Sequence, residues 1–181
     1  MKTIPIALGL VMLALIAGRI KPSSGGELLT PQSNTRTCSR EDLKLKEGQT
    51  DAAMGGERAA DYILTNKSAT ACTLKGYPKA QLLNRQNRVV RRAVNSGKLF
   101  DDSAGTPPLL VTLEPGKTAW FRIHYNSGGA GQEKPCPTYR LQVLAPGVSG
   151  PFVFRTFSSC PGTELEVSPL RAGQPDYGAT K

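Results

Sequence analysis

Histidine is nearly absent from this sequence, which contains only His124 in 181 residues. A single imidazole excludes a His-rich metal site and leaves little for Ser/His/Asp or Cys/His catalysis, which needs a base beside the nucleophile. No P-loop, G-x-S-x-G or H-E-x-x-H motif occurs. We therefore predict a protein that is not an enzyme and that has no catalytic, cofactor-binding or metal-ligating residues.

Long hydrophobic runs are also lacking, apart from Ile4–Gly18. At about 1.5 Å per helical residue this run reaches roughly 22 Å, which is less than the hydrocarbon thickness of about 30 Å that a transmembrane helix spans. A short run that ends in small residues is typical of a secretory signal peptide, which we place at residues 1–18. An uncleaved signal anchor is the alternative, because Arg19 and Lys21 follow the run directly.

The end of this run, Leu15–Arg19, resembles a bacterial lipobox in which Arg19 stands where the lipidated cysteine should be. Without that thiol there is no group to acylate, so we predict no lipid anchor. We expect the protein to be exported and to be periplasmic, in the cell envelope or secreted. Contact with the membrane is expected only if the signal segment stays uncleaved.

Acidic residues are fewer than basic ones, with 14 Asp and Glu against 23 Lys and Arg and a formal net charge of +9. Loss of residues 1–18 removes only Lys2, so the exported chain carries +8. Such a charge favours contact with acidic surfaces, and nucleic acid is a poor partner for an exported protein. We predict an acidic envelope component or an extracytoplasmic protein as the partner; the alternative is a basic surface without a specific partner.

Turn-forming residues divide the rest of the chain into short segments. Residues 19–37 lack apolar periodicity and are typical of a flexible linker, and residues 171–181 form a similar flexible tail. Residues 38–170 contain about eight or nine short strand-like runs, which predict one all-β domain, an antiparallel β-sandwich. The runs are 43–47, 60–66, 80–84, 89–94, 109–113, 117–125, 139–144, 152–157 and 164–167.

Four cysteines allow three disulfide connectivities: Cys38, Cys72, Cys136 and Cys160. In an antiparallel hairpin the start of the first strand lies beside the end of the second. The first two cysteines are centred on the Gly55-Gly56 turn, and the last two are centred near glycine-containing turns at residue 148. We therefore predict Cys38–Cys72 and Cys136–Cys160, each worth roughly 3.5–4 kcal/mol in the chain-entropy model.

Two other uses of these cysteines are disfavoured. Zinc would need all four thiolates to converge, yet no two of them have C-x-x-C spacing. A catalytic thiol would need a base, and His124 is the only histidine.

Three short motifs follow a known pattern: Met54-Gly55 with Leu64-Thr65-Asn66, C-T-L-K-G-Y-P at 72–78, and L-E-P-G-K-T-A at 113–119. With a second cysteine pair after them, they resemble the domain of unknown function 4232 family of exported bacterial proteins over residues 38–169. The resemblance implies an immunoglobulin-like β-sandwich in envelope or secreted proteins, many of them lipoproteins. It implies no established activity, so no catalytic residue is carried over.

The motif around Asn66 also has a physical interpretation. Asn66 ends a strand-like run, and an asparagine side chain can cap a turn by binding nearby backbone groups. Gly76-Tyr77-Pro78 is expected to form a turn before the next strand. We predict a structural role for this region, and we treat the N-glycosylation pattern Asn66-Lys67-Ser68 as accidental.

One cluster of basic residues is a candidate contact patch: Arg85, Arg88, Arg91, Arg92 and Lys98. An exposed hairpin with these residues would bind carboxylates or phosphates through guanidinium groups. The alternative is that the charges protect an edge strand from pairing with another chain.

The strand-like run at 117–125 holds the remaining candidates. Alternation places Trp120, Arg122 and His124 opposite Phe121, Ile123 and Tyr125. Trp120 is a candidate aromatic contact, or it covers the edge of the core. His124 is expected on a solvated strand face.

These features together predict an exported, non-catalytic β-sandwich that acts as a binding or structural module in the bacterial cell envelope or periplasm. The alternative is an accessory or inhibitor module that binds an extracytoplasmic protein through its loops. A hydrolase is a third hypothesis, and it would need a cleft that holds two carboxylates roughly 5–10 Å apart.

Overall fold

Short β-strands form nearly all the regular structure of the chain. The computed structural model describes residues 35–97, 107–129 and 134–177. The predicted signal peptide, the linker up to residue 34, Lys98 and the last four residues of the tail lie outside these ranges. The described elements are β1 (Leu43–Ala52), a 3-10 turn (Met54–Gly56), β2 (Glu57–Asn66), β3 (Cys72–Lys75), β4 (Lys79–Leu83), β5 (Val89–Arg92), β6 (Val94–Asn95), β7 (Leu110–Leu113), β8 (Thr118–Asn126), β9 (Thr138–Leu144), β10 (Phe152–Ser158), β11 (Glu166–Val167) and β12 (Arg171–Ala172).

The larger sheet has six strands, and the β1–β2 hairpin forms one side of it. The 3-10 turn joins these two strands at the predicted glycine pair, where Gly55 and Gly56 both have positive φ. β8 pairs antiparallel with β2 over its whole length. β11 and β12 pair with the other edge of β8, and β6 joins β11 in parallel. The order is therefore β1-β2-β8-β11-β6, with β12 also on β8.

Two smaller sheets complete the architecture. One has four strands in the order β10-β9-β4-β5, all antiparallel. The other is the antiparallel pair β3–β7. Side chains from all three sheets form one buried cluster, which includes Tyr62, Leu74, Leu82, Phe121 and Leu141. The fold is an all-β sandwich of predominantly antiparallel sheets, as predicted.

Three details of the sandwich differ from the sequence expectation. The described residues contain twelve strands rather than eight or nine. Some of them are only two residues long, which is too short to show an alternation of apolar and polar residues in the sequence. β3 occupies the first four residues of the C-T-L-K-G-Y-P motif, Cys72–Lys75, for which no strand was predicted. β12 lies beyond the predicted domain boundary at residue 170 and pairs with β8. The Tyr177 hydroxyl also accepts a hydrogen bond from the Gln49 backbone, 3.2 Å away.

Both predicted disulfides are present. Cys38 binds Cys72, with 4.8 Å between the Cα atoms, and Cys136 binds Cys160, with 4.6 Å. Cys38 precedes β1 and Cys72 follows β2, so the first bridge closes a hairpin as expected. The second bridge closes the β9–β10 hairpin in the same way. Hairpin geometry therefore selected the right connectivity.

Asn66 joins two of the sequence motifs. Its side chain is 0% exposed, and its amide nitrogen donates to the carbonyl oxygens of Thr70 and Leu113, each at 2.8 Å. Its amide oxygen accepts from the backbone and hydroxyl of Ser68 at 2.9 and 2.7 Å. The Asn66 carbonyl accepts from Gly116, the positive-φ residue of the turn after β7. With its hydrogen-bonding capacity filled, Asn66 is a structural centre and its amide is inaccessible for glycosylation.

Candidate functional site: a basic sheet face

The four-stranded sheet differs from its surroundings in charge. Its strands and the β4–β5 turn contain no Asp or Glu. They contain seven basic residues: Lys79, Arg85, Arg88, Arg91, Arg92, Arg140 and Arg155. This part of the chain therefore has no internal carboxylate that could neutralise its cations.

Strand alternation separates this sheet into two faces. Ala80, Val143 and Phe152 form one row across the sheet and are buried in the core. Directly opposite residues of antiparallel strands point to the same face. The neighbouring row therefore places Arg92 beside Gln81 and Gln142 on the outward face. We call this outward face, together with the β4–β5 turn, the basic face; its cations are Lys79, Arg85, Arg88, Arg92 and Arg140.

The β4–β5 turn presents two of these cations to solvent. The Asn84 side-chain oxygen accepts from the backbone nitrogens of Gln86 at 3.0 Å and Arg88 at 2.9 Å. Asn87 adopts φ 61°, a left-handed conformation that asparagine tolerates better than most residues. The turn is thus held by its backbone, which leaves the exposed Arg85 and Arg88 side chains out of its hydrogen bonding.

Arg91 does not join the basic face. It lies opposite Leu82, so it is on the core side of the edge strand β5. Its guanidinium donates to the Ser159 hydroxyl at 2.9 Å and to the Cys160 carbonyl at 2.8 Å. Arg91 therefore anchors the segment that carries the second disulfide, whereas its neighbour Arg92 points outward.

The other predicted candidates lie on the six-stranded sheet. Trp120 is 8% exposed and packs with Ile63, so its ring covers the sheet rather than offering a contact surface. The Nε2 atom of His124 lies 3.1 Å from Glu57, and its Nδ1 atom lies 3.5 Å from Glu166. His124 is thus half-buried between two carboxylates and is not on an open solvated face.

Arg122 on the same strand is also paired. Its Nε atom lies 2.7 Å from a carboxylate oxygen of Asp61, which is 1% exposed, and its Nη2 atom lies 3.9 Å from Asp51. The hydrogen bond to Asp61 raises the pKa of the Arg122 guanidinium, and burial opposes this shift. The two cations of β8, Arg122 and His124, are therefore both paired with carboxylates of the same sheet.

No such pairing occurs on the basic face. Within residues 35–97, 107–129 and 134–177, no carboxylate forms an ion pair with any of its five cations. The nearest elements of the same sheet supply amides and apolar groups instead, among them Gln81, Gln142 and Val153. A ligand with negative charge would meet cations there that the described part of the chain does not neutralise.

Arg140 was not among the predicted patch residues, because it lies on β9, more than forty residues along the chain from that patch. Its Cα atom pairs with that of Leu83, and this register brings it to the end of β4 beside Arg85. The available signal was the alternation in Tyr139–Leu144, which places Arg140 and Gln142 on one face. The lack of acidic residues in these four strands is also visible in the sequence, and it is a second signal for this basic surface.

Residues 38–171 match the family described as a domain of unknown function (DUF4232). The chain belongs to this family. No curated protein matches the chain. The matched range includes Asn66 and all four cysteines, and the DUF4232 description assigns no activity. The basic face therefore has to be interpreted from its own chemistry.

Two further findings on this DUF4232 protein concern its disulfides and its helices. Paired cysteines form and persist mainly in oxidising compartments outside the cytosol, and this domain has two disulfides. In the part of the chain that the structure describes, no helix is long and apolar enough to cross a membrane.

Proposed function

We propose that this protein is an exported, non-catalytic binding module whose basic face binds an acidic polysaccharide of the cell envelope. The observation that carries the proposal is a contrast in ion pairing: Arg122 and His124 on β8 are paired with carboxylates, whereas the five cations of the basic face form no ion pair with the described residues. Export is supported by the N-terminal apolar run and the two disulfides. The non-catalytic part of the proposal is supported by His124, the single histidine of the sequence, whose two nitrogens both face carboxylates of its own sheet.

The shape of the basic face favours a polymer as the ligand. Lys79 and the β4–β5 turn lie at opposite ends of β4, so the cations are spread along a strand and across its neighbours. An extended polyanion can contact several such charges at once, and each exposed pair adds only a small free energy. Binding by many weak contacts is also expected to weaken as salt screens them.

The decisive experiment compares two triple variants of the protein recovered after export. Arg85→Ala/Arg88→Ala/Arg92→Ala removes three charges from the basic face, whereas Lys44→Ala/Lys46→Ala/Lys117→Ala removes three exposed charges elsewhere. On immobilised heparin, used as an acidic polysaccharide, we expect the first variant to elute at clearly lower salt than the wild type. The second variant is expected to elute close to the wild type.

Equal losses in both variants would contradict the proposal, because net charge alone would then explain retention. The same variants test edge protection, since β5 is an edge strand of its sheet. If the arginines serve only that purpose, the first variant should aggregate in size-exclusion chromatography while a soluble fraction keeps its heparin retention.

A further inference from the structure

A groove opens where β4 ends and β9 begins. Its volume is about 310 Å³. Leu83 and Arg140, which pair across β4 and β9, both line it. The first residues of the β4–β5 turn and the start of β9 line the rest of the groove. The lining residues are Leu83, Asn84, Arg85, Thr138, Tyr139 and Arg140. No acidic side chain is among them.

Arg140 lines this groove, and its guanidinium has an unsatisfied hydrogen-bond donor. Its Nη2 atom is buried, and it has no hydrogen-bond acceptor among the described residues. A buried donor without an acceptor costs free energy, and the cost is larger for a charged group. An arginine is also never neutral in a protein, so it cannot relieve this cost by losing its proton. An acceptor in the groove would relieve this cost by binding the Arg140 guanidinium after a small rotation of that side chain.

The remaining polar groups of the groove suit a negatively charged acceptor. Arg85 is exposed at the rim and forms no ion pair among the described residues. The Asn84 side-chain oxygen is used by the turn, which leaves its amide nitrogen as the group that can donate. Two guanidinium groups and an amide donor match an oxyanion, since arginine binds carboxylate and phosphate oxygens in a forked geometry.

We propose that this groove binds a single oxyanion group, carboxylate or phosphate, between the guanidinium groups of Arg140 and Arg85. The inference rests on the proposed function, because the group would belong to the acidic ligand of the basic face. The groove would give the basic face one defined binding position, whereas its other cations would contact the ligand individually.

The test is a titration of the exported protein with inorganic phosphate and, separately, with glucuronate, a sugar carboxylate. Binding is followed by NMR through the arginine Nε–Hε resonances. We expect a saturable shift of the Arg140 resonance in at least one titration, and the stronger response identifies the oxyanion. Arg140→Gln should weaken this binding by about tenfold or more, since it removes a charge-assisted donor. Arg85→Gln should weaken it to a lesser extent.

Lys44→Gln is the matched control, because it removes one exposed charge from β1, outside both the groove and the basic face. It should leave the binding curve nearly unchanged. Arg85 is exposed, so Arg85→Gln keeps the test valid if Arg140→Gln does not fold. The proposal is overturned if neither probe saturates, or if Lys44→Gln weakens binding as much as the groove variants.

The two proposals fail in different ways. Loss of heparin retention in the basic-face triple variant, together with no saturable oxyanion binding, would support the basic face and exclude the groove. Saturable phosphate or glucuronate binding that depends on Arg140, together with unselective heparin retention, would support the groove and exclude the polysaccharide surface.

Discussion

Strand β8 of the six-stranded sheet and the basic face of the four-stranded sheet differ in whether their cations are paired with carboxylates. On the six-stranded sheet, Arg122 and His124 each lie between carboxylates, and one of these, Asp61, is almost fully buried. On the four-stranded sheet, Arg92 and Arg140 face outward with no acidic residue in any of its strands. Paired charge contributes to the architecture, whereas unpaired charge on a stable sheet is available to a ligand. The difference directs the search for function to the four-stranded sheet.

Removal of the disulfides is the largest expected perturbation, and it acts on both sheets. The bridges close loops of 34 and 24 residues. Chain entropy then predicts losses of about 3.8 kcal/mol for Cys38→Ala/Cys72→Ala and about 3.4 kcal/mol for Cys136→Ala/Cys160→Ala. Urea unfolding of each variant beside the oxidised wild type measures these free energies. A loss below about 1 kcal/mol for either pair would show that the bridge constrains little in the unfolded chain.

Asp61→Ala tests the paired sheet. The variant leaves the partly buried Arg122 guanidinium without its closest carboxylate, so we expect the free energy of unfolding to fall by about 3 kcal/mol. Arg92→Ala on the four-stranded sheet is the control, and its effect should stay within about 0.5 kcal/mol. Urea unfolding of both variants provides the comparison. If the two losses are similar, the division between structural and available charge is wrong.

Acid should weaken the paired charges while the basic face keeps its charge. Arg36 binds both carboxylate oxygens of Asp42, and Ser39 donates two more hydrogen bonds to it. These contacts, led by the Arg36 hydrogen bond, hold the pKa of Asp42 well below its usual value of about 3.9. Because the folded pKa is lower than the unfolded one, this stabilisation is present above about pH 4 and is lost as the pH falls further.

Asp42→Asn measures this smaller effect. Urea midpoints between neutral and acidic pH should fall less steeply for the variant than for the wild type, because it lacks the titrating carboxylate. Lys44→Ala, an exposed change nearby, should keep the wild-type slope. An unchanged slope in Asp42→Asn would assign the acid sensitivity to other carboxylates.

Local patterns were sufficient for several features of the molecule. Hairpin spacing around glycine turns gave both disulfide pairings, and alternation placed Phe121, Ile123 and Tyr125 in the core. Asn66 and the turn at Gly116 also followed from residue type. These predictions succeeded because hairpins, turns and strand faces depend on residues that are close in sequence.

Contacts between distant segments were decided by the tertiary structure. Arg91 and Arg92 look equivalent in the sequence. The pairing of β5 with β4 places Arg91 on the core side, where it binds Ser159, and Arg92 on the outward face. Arg140 reaches Arg85 only because β9 pairs with β4. Short strands such as β12 form because β8 offers an edge, and their own residues do not predict them. The sequence by itself determined the longer strands, the disulfides and the excess of positive charge. The pairing of the sheets decided which of those charges are neutralised and which remain available, because ion pairs depend on distances that only the folded chain sets.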